Sequence, residues 1–166
     1  MRVRPAAEAD AAGVRAVLTA AFPTAAEAEL VDRLIRDGDL VLGFVAVDED
    51  QIVGYAAFSR MVVVADEARV PALALGPIAV LPAFQRRGIG GRLIQCGLAA
   101  ANGRGIPLVF VLGDPDFYGR FGFRAQTAAP FASPYAGPHL MAQWLSSPRV
   151  PSNGRADFAP AFAATG

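Results

Sequence analysis

The sequence predicts an α+β fold with a mixed sheet flanked by helices. Three observations predict it. Runs rich in β-formers occupy residues 40–47, 52–64 and 72–80, while helical spacing marks 8–21, 24–38 and 88–104. A continuous apolar run at 108–112 has the character of a strand covered on both faces.

In chain order, residues 3–5 form a first short strand, and the helix over 8–21 places Val14, Val17, Leu18 and Ala21 on one face. Phe22 and Pro23 end it. Thr24 and Glu27 stand at the spacing of a capping box and open a second helix carrying Leu30, Val31, Leu34 and Ile35. Gly38 closes that helix. The runs at 40–47 and 52–64 then read as an antiparallel hairpin about an acidic turn at 48–51. A polar link at 66–69 leads to the strand at 72–80. The helix over 88–104 buries Ile89, Leu93, Cys96 and Ala100, with Ile94, Leu98 and Ala101 beside them. After the strand at 108–112 come a Pro-initiated turn of helix at 115–120, an extended Phe121-Gly-Phe123 and a last strand at 139–145. Residues 1–145 are expected to form the domain. Residues 146–166, rich in Ser, Pro and Gly, read as an extended C-terminal tail packed on or near it, with Phe158 and Phe162 as anchors.

Composition narrows the function. At 166 residues and 54% hydrophobic content, the chain buries a core without help from disulfides, and Cys96 is its only cysteine. Fifteen basic and fifteen acidic residues cancel, which argues against a nucleic-acid partner. No apolar run reaches the ~18–20 residues of a membrane span, and the N-terminus shows no signal core, so a cytoplasmic location without a membrane partner is expected. His139 has no second ligand at metal-binding spacing, so no metal is expected. Ser59, Ser133 and Ser146 lack a nucleophile-elbow setting.

The informative stretch is residues 78–92. A strand ends at Leu81-Pro82, a basic loop follows, and a helix starts among Gly88, Gly90 and Gly91. A helix start carries unpaired N–H groups and partial positive charge, and Arg86, Arg87 and Arg92 add to it. Such a loop suits a multiply charged phosphate group. Neither the P-loop nor the dinucleotide fingerprint is present, so nucleotide hydrolysis and dinucleotide binding lose their main support. The alternative is a glycine-rich turn with solvated arginines.

Gln85-x-x-Gly88-x-Gly90 after an apolar strand resembles the acetyl-CoA pyrophosphate loop of the GNAT N-acetyltransferases. Tyr118-x-x-x-Gly122-Phe123 matches a second block of that family. The strings at 112–123 and 75–80, and the tail near 154–162, are similar to its bacterial YhbS-like branch. The resemblance covers the element order over 1–145. It implies a mostly antiparallel central sheet splayed between the strands at 72–80 and 108–112, with acetyl-CoA as acyl donor. Pantetheine would pair with Ile78, Ala79 and Val80. The cofactor-binding loop would comprise Gln85, Arg86, Arg87, Gly88, Ile89, Gly90, Gly91 and Arg92, with the pyrophosphate on the amides of residues 87–92. Tyr118 maps onto the general acid that protonates the departing thiolate. Read without the resemblance, Tyr118 is a core aromatic beside Phe117 and Phe121.

Two departures from the family pattern stand out. The strand at 72–80 holds no acid, where many relatives place a glutamate as general base. Gly113-Asp114 also replaces the asparagine found before the short helix. Asp114 and Asp116 fall near the expected site and Glu27, Glu29, Asp66 and Glu67 could line the acceptor entrance, but each reads first as a cap, turn or solvated surface residue. The leading expectation is an acetyl-CoA-dependent N-acetyltransferase acting on a primary amine of a small molecule or protein by ternary-complex attack. A non-catalytic CoA-binding sensor is the alternative, and transfer to a hydroxyl or of a longer acyl group is a third reading. Residues 130–135 hint at an apolar lid or dimer contact, and the apolar tail offers a further surface for a homodimer.

Overall fold

The computed structural model describes residues 1–165. The chain divides into two compact units. One comprises Met1–Ser59, Gly76–Gly97 and the chain from Pro160 onward; the other comprises Arg60–Leu75 and Leu98–Ala159.

In the first unit, β1 (Arg2–Pro5) pairs antiparallel with β2 (Leu40–Asp48), which pairs antiparallel with β3 (Gln51–Arg60). Glu49 and Asp50 both adopt positive φ, the primed turn whose twist suits a two-residue hairpin. Helices α1 (Ala11–Ala21) and α2 (Ala26–Arg36) lie over Val45, Val47, Tyr55 and Ala57 of these strands, with Val14, Val17, Leu18 and Val31 in the shared core. The first residues expected in α1, Glu8–Asp10, form a 3₁₀ turn instead. There the Asp10 carboxylate accepts from Ala7 N at 2.7 Å and takes both Arg4 guanidinium nitrogens, at 2.7 and 2.9 Å. The expected capping box does not form. Thr24 Oγ1 accepts from Ala26 N at 3.3 Å, and Glu27 Oε1 is buried without a partner among the described residues. Ile35, expected in the core, is 57% exposed.

The Arg4 hydrogen bonds and the Ala7 amide hold Asp10 at a pKa of about 2, below the ordinary 3.8. A carboxylate depressed on folding stabilises the fold above its unfolded pKa, and that contribution is lost as pH falls towards about 2. Asp10→Asn is therefore expected to lower stability at pH 7 and to flatten the loss of stability between pH ~4 and ~2. Urea unfolding of both proteins across that range checks it.

The chain leaves β3 at Met61, so the run at 52–64 is two strands rather than one. In the second unit β4 (Val62–Ala65) turns through Asp66 and Glu67, again both at positive φ, into β5 (Ala68–Val70). A two-residue primed turn thus stands where a polar link is expected. Strand β6 (Ala72–Val80) runs parallel to β7 (Leu108–Leu112) in the register Ala72↔Leu108 to Leu75↔Val111, and β9 (Leu140–Trp144) pairs antiparallel with β7. Strand order in the larger sheet is β1-β2-β3-β6-β7-β9. Strand β10 (Gly154–Asp157) pairs antiparallel with β4 and parallel with β8 (Phe131–Ala132), giving a second sheet in the order β5-β4-β10-β8. Asp66 Oδ1 accepts from Ser152 N and Asn153 N, both at 2.9 Å, and ties the turn to the start of β10.

The core of this unit joins Val63, Val70, Leu108, Phe110, Phe131 and Leu140. Phe131 packs edge-on to Phe110, 5.4 Å between ring centres, so it is core rather than lid. Trp144 packs half-buried against the same cluster. Phe121-Gly-Phe123 is no strand: Gly119–Phe121 is a 3₁₀ turn, and Gly122 takes φ +96°. Among the described residues no helix is long and apolar enough to cross a membrane.

Helix α3 (Ile89–Gly103) begins in the first unit, and its contact with β3 there is close. Ile89 and Leu93 fill the space above Gly54, and Gly97 lies against the ring of fully buried Phe58. Cys96, expected in the apolar stripe, is half-buried and free, whereas Gly97 is buried.

Candidate active site

The end of β6 and the loop after it form one continuous structure. Pairing with β7 covers Ala72 to Leu75 of β6, and the strand itself continues through Pro77, Ile78 and Ala79 to Val80. Ala79 is buried, while Ile78 and Val80 are half-buried. A single 3₁₀ turn, Pro82–Phe84, carries the chain off the strand. The Gln85 amide then donates from Nε2 to Val80 O at 3.1 Å and fastens the loop back to the strand end. Gln85 so acts on the loop through its side chain.

Arg86 and Gly88 adopt left-handed φ of +64° and +79°. Nothing lies within 4 Å of a Cβ placed on Gly88, so its glycine answers the backbone conformation and not crowding. The Arg87 guanidinium stacks 5.1 Å from the Phe84 ring centre. Arg92 N donates to Gly88 O at 3.1 Å, the first bond of α3, which leaves the amides of Ile89, Gly90 and Gly91 outside the helical ladder. The Ile89 side chain is buried over Gly54, so Ile89 offers the loop only its backbone. Arg86, Arg87 and Arg92 are exposed, and they join these amides in a concentration of positive charge suited to phosphate.

The second group of residues lies in the other unit. Asp114 Oδ1 accepts from Asp116 N at 3.0 Å and caps α4 (Pro115–Tyr118), in which Pro115 takes the first position. Tyr118 follows, half-buried, edge-on to Phe117 at 4.9 Å and to Phe123 at 6.2 Å. Burial pushes its phenol pKa upward, which keeps the hydroxyl protonated. A Cβ on Gly113 would come within 2.5 Å of Tyr118 Cε2, so the ring lies directly on that backbone. Gly113 is itself clamped. Its N–H donates to His139 O at 3.0 Å, and His139 Nδ1 lies 3.1 Å from Gly113 O. A carbonyl only accepts, so Nδ1 carries the proton. In the sequence His139 stands out only as an isolated candidate metal ligand. Its pairing with a glycine just after a strand leaves no pattern in the sequence.

The acids considered for the acceptor side have separate fates. Asp114 caps a helix, and Asp66 holds Ser152 and Asn153. Glu29 and Asp116 are exposed, and Glu67 sits in the β4–β5 turn. Glu27 alone presents a buried carboxylate oxygen without a partner among the described residues. No group of three or more His, Cys, Asp or Glu among those residues is arranged to hold a metal ion.

Comparison with known proteins agrees with the geometry. The family description "Acetyltransferase (GNAT) domain" matches residues 2–125. The N-acetyltransferase YhbS of Escherichia coli strain K12 is 40% identical over 124 residues, covering 74% of this chain and 73% of that one. The crystal structure of Escherichia coli YhbS in complex with CoA superposes with a TM-score of 0.88 at 30% identity, over 98% of this chain and 91% of that one. A GNAT acetyltransferase from Brucella melitensis, in complex with acetyl-CoA, gives 0.79 at 33% identity over 97% of each chain. With a matching family description over most of its length and relatives this similar, the chain belongs to the GNAT acetyltransferase family.

Proposed function

We propose that the protein is an acetyl-CoA-dependent N-acetyltransferase that acts on a primary amine. The observation that carries this is the loop from Val80 to Arg92, where free helix-start amides, left-handed Arg86 and Gly88, and three exposed arginines form a cradle for a pyrophosphate. In this reading Ile78, Ala79 and Val80 offer strand-edge backbone to the pantetheine arm. Gln85 holds the loop in shape, and the amides of residues 87–92 take the phosphates.

The amine nitrogen attacks the thioester carbonyl, a C–N bond forms, and the C–S bond breaks. Holding donor and acceptor together supplies much of the acceleration. Tyr118 Oη–H gives its proton to the departing sulfur, and the clamp on Gly113 fixes the surface on which that ring rests. Since Ala72–Val80 carries no acid, the amine arrives already neutral or gives its proton to an ordered water or to Glu27, whose Oε1 is buried without a partner among the described residues. A cytoplasmic location accompanies the reading, because acetyl-CoA is an intracellular metabolite. The tail remains the proposed contact for a homodimer, and residues 1–145 the proposed catalytic domain.

Thermal shift with acetyl-CoA, CoA and ATP is the test. At about 100 times the dissociation constant, a ligand should stabilise the fold by ~2.7 kcal/mol. For a chain of this size that is a shift of roughly 5–11 °C. Both CoA species should shift the transition and ATP should not; no shift with either CoA species refutes the proposal. The lack of an acid on β6 also favours a second reading, a CoA-binding sensor without turnover. Binding without acetylation of any amine in a broad panel would select it.

A further inference from the structure

Helices α1 and α2 do not close over the strands beneath them. A cleft of about 410 Å³ lies between them and β1–β3, and none of its lining residues belongs to the loop or strand end described above. Its size falls in the range of small-molecule sites. The cleft exists because the facing helix positions are small: Ala11 on α1 and Ala28 on α2, with Ala6 and Ala7 at the end of β1. Ile35 also lines it and leaves much of its side chain in water.

Tyr55 forms part of the floor. It is only 1% exposed, and it carries the one phenol among the residues that line the cleft. Gly43 keeps the space around that hydroxyl open, since a Cβ there would lie 3.2 Å from Tyr55 Oη and 3.5 Å from the Ala6 Cβ. Burial raises the Tyr55 pKa to about 12, so the group stays a neutral donor. In an otherwise apolar cleft such a donor favours a ligand that brings an acceptor to meet it. At the mouth, Arg15 and Asp32 form an ion pair with each other, and Glu8 is the remaining charge among the lining residues. The rim therefore offers no free cation to an anionic ligand.

We infer that this cleft is a second binding site, for a neutral and largely apolar small molecule that presents one acceptor oxygen to the Tyr55 hydroxyl. The walls, Val14, Leu18 and Val31 among them, accept a ring or short alkyl body. The inference rests on the first unit alone and does not depend on acetyl transfer.

Acetophenone and ethylbenzene are suitable probes, being close in size and differing in the acceptor oxygen. Titrations of the full chain are followed by amide NMR. Acetophenone is expected to shift the amides of Ala11, Val31 and Leu40 saturably, and to bind about fivefold more tightly than ethylbenzene. Tyr55→Phe should keep ethylbenzene binding and abolish the preference. Ala11→Phe, a change on the exposed wall of the cleft, should block both probes. Absence of saturable shifts with either probe overturns the inference, as does an undiminished preference in Tyr55→Phe.

Discussion

Tyr118→Phe is expected to lower kcat for acetyl transfer by about 10²-fold while leaving acetyl-CoA affinity within a factor of two. General acid catalysis is worth about 10²–10⁴-fold. The leaving group decides where in that range the loss falls. A thiol with a pKa of roughly 8.5, as for cysteine, departs as a fairly stable anion, so protonation helps it less than it would an alkoxide. Phenylalanine keeps the edge-on contacts with Phe117 and Phe123 and the seat on Gly113, so the substitution removes the proton and little else. Steady-state kinetics with an accepted amine, beside calorimetric titration of acetyl-CoA, separates the two quantities. Unchanged kcat would return Tyr118 to a packing role.

Gly97→Ala is expected to cost the fold about 2 kcal/mol, although the same change in an ordinary helix interior gains ~0.5–1 kcal/mol. The sign reverses because an alanine Cβ would overlap Cε1 and Cζ of the Phe58 ring, which is fully buried and has nowhere to retreat. Overpacking of this kind costs ~1–3 kcal/mol, more than the helix gains. At ~2–4 °C per kcal/mol, Tm should fall by roughly 4–8 °C. Adding Phe58→Leu to Gly97→Ala should recover part of the loss, since the smaller side chain makes room for the new methyl. A Tm equal to that of the parent would show that the ring shifts at little cost.

Much of this molecule is written in local patterns. The helices α1, α2 and α3 follow from helical periodicity, while the first hairpin and the strands β6 and β7 follow from continuous runs of β-formers buried on both faces. The shape of the loop at 85–92, a turn running into a helix start, was legible from its glycines, of which Gly88 is left-handed like Arg86 and accepts the first bond of α3. What escaped depends on partners distant in sequence. The β4–β5 hairpin turns on Asp66-Glu67 without glycine, so its chemistry looks like an ordinary polar link. Strand β10 is only Gly154–Asp157, and its strand character comes from β4 and β8 on either side. Glu27 sat at capping-box spacing, yet the helix begins at Ala26, so the carboxylate turned inward. The seating of Tyr118 on Gly113, held by His139, requires β7 and β9 to be side by side before it can be seen.

The bond from Asn153 to Asp66 spans 87 residues of chain, and it has a consequence for how the protein is made. On the ribosome, β4 and β5 can pair as soon as both have emerged, but β10, the inner strand between β4 and β8, is made only after β8. Until it is synthesised, one edge of β4 has no neighbour. Closing so distant a contact is entropically expensive and slow. The smaller sheet is therefore a late event in folding. The nascent chain carries an open strand edge until β10 is made, the condition under which edges find the wrong partner.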